Sequence, residues 1–190
     1  MNPAHKKKGR LVPDELFPAY SYVPGKFPHP TRSPLGHSHA KAPSRPEALD
    51  PVLWQKCRHY LFGIDLFNHG YYWEAHEAWE ALWHMAGRRG PVADFLKGLI
   101  ALAAAGVKAR EGRLAGVRGH FLRAEAIFKA LAKPTADPME IRPTERAFLG
   151  LDLNSLITAS KELSDSPERV MHPSEEAVVV VMPFALSPKP

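Results

Sequence analysis

Residues 67–87, FNHGYYWEAHEAWEALWHMAG, set His76, Glu77, Glu80 and His84 at helical spacing among Tyr72, Trp73, Trp79 and Trp83. Imidazole and carboxylate groups within reach of one another support three kinds of chemistry: holding a divalent metal, passing a proton, or pairing with cations. On a wheel of about 100° per residue, Tyr72, Ala75, Trp79, Leu82, Trp83 and Ala86 share one arc, which is the expected core stripe. His76, Glu77, Glu80, Trp73 and His84 flank it. Glu74 falls on the far side, where a carboxylate favours the helix N-terminus through the dipole.

His76 and Glu80, four residues apart on one face, are the expected metal pair, and a divalent metal is the cofactor they admit. In proton chemistry His76 is the carrier and Glu77 or Glu80 the base or its orienter. The string HEAWE is not HExxH, because Glu80 stands where the second histidine would be. Ion pairing is the competing reading. Residues 65–86 carry four acids and no lysine or arginine, whereas residues 97–133 carry eight bases against two acids.

The elements that position these residues follow from proline. Ten of nineteen prolines lie at or before Pro51 and eight at or after Pro134, with only Pro91 between. Proline fixes φ and removes a donor, so the centre is free to coil and the flanks are not. The expected organisation is a proline-rich extended arm over 1–49, a helical bundle over 50–163 and a proline-rich tail over 164–190. Asp50 and Pro51 read as the cap and first position of a helix ending near Asn68. A second helix, about 71–86, stops at Gly87. A third runs from Pro91 to Gly112, so rich in Ala and Gly that neighbours must approach it closely. A fourth runs from about Arg113 to Lys133, and a fifth starts near Asp152. Gly70 and Gly112 open two similar segments 42 residues apart, which reads as two helix-turn-helix hairpins packed together. The fold class expected is therefore all-α, a compact bundle of about five helices. In the tail, Val178–Met182 is β-branched and bounded by charge and Pro183, the signature of a short strand.

Residues 61–132 resemble the all-helical domain of unknown function 309 family. Its pattern reads approximately FNxGxYFExHExLExxW, then GLIQxAAxxxH, then GNxxGA. This chain has FNHGYYWEAHEAWEALW, GLIALAAAGVK and GRLAG. Where the family places glutamine, histidine and asparagine, this chain has Ala101, Lys108 and Arg113. The resemblance implies that a residue of the third helix faces the His-Glu face, a place Lys108 takes here, opposite Glu77 or Glu80. It implies a fold and a site location, and no reaction.

The segment 18–39, PAYSYVPGKFPHPTRSPLGHSH, is richer in aromatics than disordered chain. It is expected to be an ordered extended arm that packs across the bundle and roofs the site beside His76 and Glu80. Its three histidines, His29, His37 and His39, are irregularly spaced for zinc.

Composition bounds the rest. The net charge of +5 is divided between Lys6, Lys7, Lys8 and Arg10 and a scatter over 97–133, without interleaved exposed aromatics, so no specific nucleic-acid binding is expected. The longest apolar run, residues 98–107, is about half the roughly 20 residues a membrane helix needs. The lone Cys57 and an N-terminus without a signal pattern point to the cytoplasm. The function expected is a polar-aromatic pocket with Tyr72, Glu74, Trp83 and Lys108 around His76, Glu77 and Glu80, binding a small molecule or carrying a hydrolase-like activity. The alternative is a non-enzymatic scaffold that forms a homo-oligomer or docks a protein partner through its hairpins and valine-rich tail.

Overall fold

A computed structural model describes residues 9–40, 46–133 and 147–189. The expected cluster Lys6 to Lys8 and the stop at Pro134 lie outside these. The architecture is a five-helix bundle: α1 (Arg58–Asn68), α2 (Tyr72–Met85), α3 (Pro91–Glu111), α4 (Leu114–Leu131) and α5 (Leu153–Asp165). Helices α1 and α2 form one hairpin and α3 and α4 the other, with α2 packed on α3 and α5 on α4.

Local chemistry sets most boundaries. Pro91 opens α3 at the position where its missing N–H costs nothing. Gly112, at φ 79°, closes α3 in the left-handed conformation and returns its N–H to Ala109. Asp152 caps α5, accepting the N–H of Ser155 at 2.6 Å. The first helix is the exception. Asp50 does cap, accepting Val52 N at 2.8 Å and Leu53 N at 3.2 Å, but the turn it opens is a 3-10 turn, Trp54–Lys56. Cys57 is then extended, so α1 starts at Arg58 and not at Pro51. The break turns both Trp54 and Cys57 into the core.

Three helical glycines explain how closely the helices lie. A Cβ on Gly63 would sit 2.3 Å from the Trp79 indole nitrogen, one on Gly106 2.4 Å from the Tyr72 ring, and one on Gly98 2.4 Å from the Phe128 ring. Each pair is an aromatic seated on a bare backbone. Together they join α1 to α2, α2 to α3 and α3 to α4, with α3 at the centre.

A strand over Val178–Met182 is not formed. Those residues run extended across the bundle, and the N–H groups of Val181 and Met182 go to the Tyr72 hydroxyl instead of a ladder. The two strands among the described residues lie elsewhere. β1 (Ala147–Phe148) and β2 (Leu151–Asp152) pair antiparallel about Leu149 and Gly150, both at positive φ, the geometry a two-residue hairpin turn requires. The N-terminal arm is ordered from residue 9 to residue 40. Its Ser21 N–H bonds Ala177 O at 2.9 Å, so the two flanks of the chain meet on the bundle.

Candidate functional site

The core stripe of α2 is as the wheel placed it in Tyr72, Ala75, Trp79 and Leu82, all buried; Trp83 and Ala86 are half-buried. Beside it, one nitrogen of His76 and one oxygen each of Glu77 and Glu80 lie within 4.8 Å of one another. His76 and Glu80 are half-buried and Glu77 is exposed. His76 Nδ1 is 3.5 Å from Glu77 Oε1, is shielded from solvent, and makes no hydrogen bond. The fourth member of the expected face is diverted: His84 Nδ1 accepts a hydrogen bond from Arg88 Nε at 2.9 Å.

The competing ion-pair reading is not what the structure shows. Among the described residues, neither Glu77 nor Glu80 pairs with a lysine or arginine. The basic helices use their own acids. Lys108 Nζ bonds both oxygens of Glu111, at 2.9 and 2.8 Å, and Arg113 Nε meets the same carboxylate at 3.0 Å. Lys108 is therefore held by Glu111 and not by the carboxylates of α2.

His120 of α4 is the member that sequence reasoning missed. Its imidazole pKa is lowered, first by burial, then by the positive charges of Arg123, Lys108 and His76, with Glu111 opposing. Its Nδ1 is shielded and unbonded. The charges that act on it place α4 beside the outer face of α2 and the end of α3. The available signal was the second hairpin itself, where His120 falls on the turn after Gly112 and Val117.

Two expected pocket residues serve other purposes. Tyr72 is buried, its hydroxyl accepts Val181 N at 2.8 Å and Met182 N at 3.1 Å, and burial pushes its pKa up to about 12. Glu74 is 8% exposed, and its Oε1 accepts Tyr22 N at 2.9 Å and meets His37 Nε2 at 3.1 Å. The far side of the wheel is thus not open to water, because the arm lies on it. The ring of Trp73 is likewise met edge-on by Tyr22 and His29. The arm covers the first turn of α2 and makes no hydrogen bond, ion pair or ring contact with His76, Glu77 or Glu80 among the described residues, so the roof lies one turn away from where it was expected. Trp83 carries the Arg88 guanidinium 5.4 Å from its ring, and its indole nitrogen is shielded and unbonded.

The cavity that the surface does offer, about 350 Å³, is elsewhere. It is open, lies between the start of α3 and the end of α4, and is lined by Pro91, Asp94, Lys97, Ala126, Ile127, Ala130 and Leu131. None of the expected site residues lines it.

Two further buried charges were not legible as such. Asp65, 1% exposed, accepts Leu11 N at 2.9 Å and Val12 N at 2.8 Å. Arg110, also 1% exposed, donates from Nη2 to Glu176 O, and burial lowers its pKa. Arg110 continues the row Gly98, Leu102, Gly106 at four-residue spacing, which was the signal that it faces inward.

Helix α3 is 21 residues long, yet no helix among the described residues is long and apolar enough to cross a membrane. In comparisons with known proteins, residues 60–119 match the family described as Domain of unknown function (DUF309). No curated protein matches the sequence.

Proposed function

We propose, taking the family match over residues 60–119 as the premise, that the outer face of α2 binds a divalent cation through His76 and Glu80, with Glu77 as third ligand or base. The observation that carries this reading is the convergence of three ligand atoms within 4.8 Å. Bonds of about 2.1 Å place ligand atoms roughly 3 to 4.2 Å apart. Rotation of the exposed Glu77 side chain closes the difference. One imidazole and two carboxylates suit a borderline or hard divalent ion such as zinc or manganese.

Three protein ligands leave positions for water and for an oxygen of a small molecule. A cation so bound supplies polarisation of that oxygen and acidification of a bound water. The protein supplies the rest. Glu77, when not a ligand, accepts the proton of the water, and His120, kept neutral by burial and by neighbouring cations, is the second acceptor. Lys108, fixed by Glu111, contributes positive charge toward an anionic ligand. The reaction class is a cation-assisted hydrolysis, in which the residues at the cation are His76, Glu77 and Glu80.

Calorimetric titration with zinc and with manganese, alongside elemental analysis of the purified protein, tests the reading. One cation per chain is expected, lost in His76→Ala and Glu80→Ala with helical circular dichroism unchanged. Binding that survives both substitutions, or helicity that falls with binding, refutes it.

A further inference from the structure

The residues Asn68, Gly70 and Tyr72 belong to the matched region, and all three act on residues outside it. Asn68 clasps both backbone groups of Leu186, donating to its carbonyl and accepting its N–H, each at 2.8 Å. Tyr72 takes the N–H groups of Val181 and Met182. A Cβ at Gly70 would lie 2.5 Å from Val179 O, so only a glycine lets the tail pass. Arg110 holds Glu176 O, and Lys26 of the arm holds Ser174 O at 3.0 Å. These contacts read main chain. Side-chain identity enters at Met182 and Leu186, both 2% exposed and four residues apart. The ends of α1 and α3 and the start of α2 therefore form a groove that recognises an extended polypeptide by its backbone and two apolar anchors.

The chain's own tail does not complete this groove. The guanidinium of Arg110 is enclosed, yet its Nε and Nη1 have no hydrogen-bond partner, and neither does Ser174 Oγ. A buried charge without a counter-ion costs several kcal/mol. Two glutamates are near but do not reach it. Glu175 lies 3.5 Å from Lys26 and Glu176 3.4 Å from His172, both with largely exposed side chains. The tether explains why. His172 N is bound to Ala109 O at 3.2 Å, beside the residue that receives Glu176 O, so residues 173–175 must loop outward. A tail that arrives without that tether is free to turn a glutamate onto Arg110.

We propose that this groove takes residues 174–186 of a second copy of the chain, reciprocally, with a tail glutamate paired to Arg110. Two observations favour that occupant: the tail sequence fits the groove in the single chain, and its acidic end complements Arg110 and Lys26. Segment 171–177, largely exposed and carrying Pro173, is the hinge.

Complementation tests it on the full chain. One copy carries Asn68→Ala and Tyr72→Phe, which spoils its groove and leaves its tail free. The other carries Met182→Ser and Leu186→Ser, which spoils its tail and leaves its groove open. Each alone is expected to sediment as a monomer, and the equimolar mixture as a 1:1 complex at micromolar concentration. Adding Arg110→Gln to the open-groove copy should weaken that complex about tenfold, the loss of one bond to a charged group. No complex while both copies keep native helicity overturns the proposal. So does a complex that persists when the open groove also carries Asn68→Ala. Should a double variant lose helicity, the single substitutions Asn68→Ala and Leu186→Ser carry the same comparison.

Discussion

Replacing Asp65 by asparagine tests whether buried carboxylates hold the arm. The substitution keeps size and shape, removes the charge, and exchanges one acceptor for an NH2 donor. In the native protein the two oxygens take Leu11 N at 2.9 Å and Val12 N at 2.8 Å, with Arg10 Nε at 3.8 Å from the second. At 1% exposure no water can stand in for a lost partner. One N–H therefore faces a donor. A hydrogen bond to a charged acceptor contributes about 1.5 to 3 kcal/mol, and a stranded buried donor costs about 1 to 3 kcal/mol, so local loss is about 2 to 4 kcal/mol. The chain can evade this by releasing residues 9–17, which rehydrates both amides and caps the effect on global unfolding. Arm release should therefore come ahead of global destabilisation. Hydrogen exchange should show protection of the Leu11 and Val12 amides falling by about thirtyfold to several hundredfold, with amides of α3 little changed. Protection of those two amides within a factor of about three of wild type would refute the role given to Asp65.

Gly106→Ala should destabilise by about 1 to 3 kcal/mol in chemical denaturation, although alanine is the better helix former, because the new methyl meets the Tyr72 ring. His120 has a folded pKa below its ordinary value, so the unfolded chain takes up the proton first as pH falls through about 6.5. Stability is then lost on acidification until the folded pKa is passed, and His120→Asn should flatten melting temperature between about pH 7 and 5. Cys57 is buried, and burial raises its thiol pKa, so a thiol reagent at neutral pH should label it only as fast as the bundle opens. Rapid labelling of the native protein would contradict its placement.

What the sequence made legible were features decided within one or two turns. Pro91, Gly112 and Asp152 each act on their own helix end, and the bounds of α3 and α5 followed from them. The glycines of α3 announced close neighbours without naming which. The wheel correctly grouped His76, Glu77 and Glu80, since their proximity is intrinsic to one helix. It failed at Glu74 because an angle on a wheel says nothing of chain more than fifty residues away lying over that face. Val178–Met182 reads as a strand by residue type, yet no ladder is required when a phenol hydroxyl accepts its N–H groups. The pairing of Lys108 with Glu111, and not with α2, was available from their three-residue spacing.

The bond from Ser21 to Ala177 has a consequence for biosynthesis. Residues made among the first find their partner among the last, after the ribosome has delivered every helix. The clasp closes across a separation of most of the polypeptide, which makes it a late and comparatively slow event in maturation. Until then Asp65 and Glu74 face water on a half-dressed bundle, and a protease or chaperone meeting the nascent product sees a different surface from the finished one.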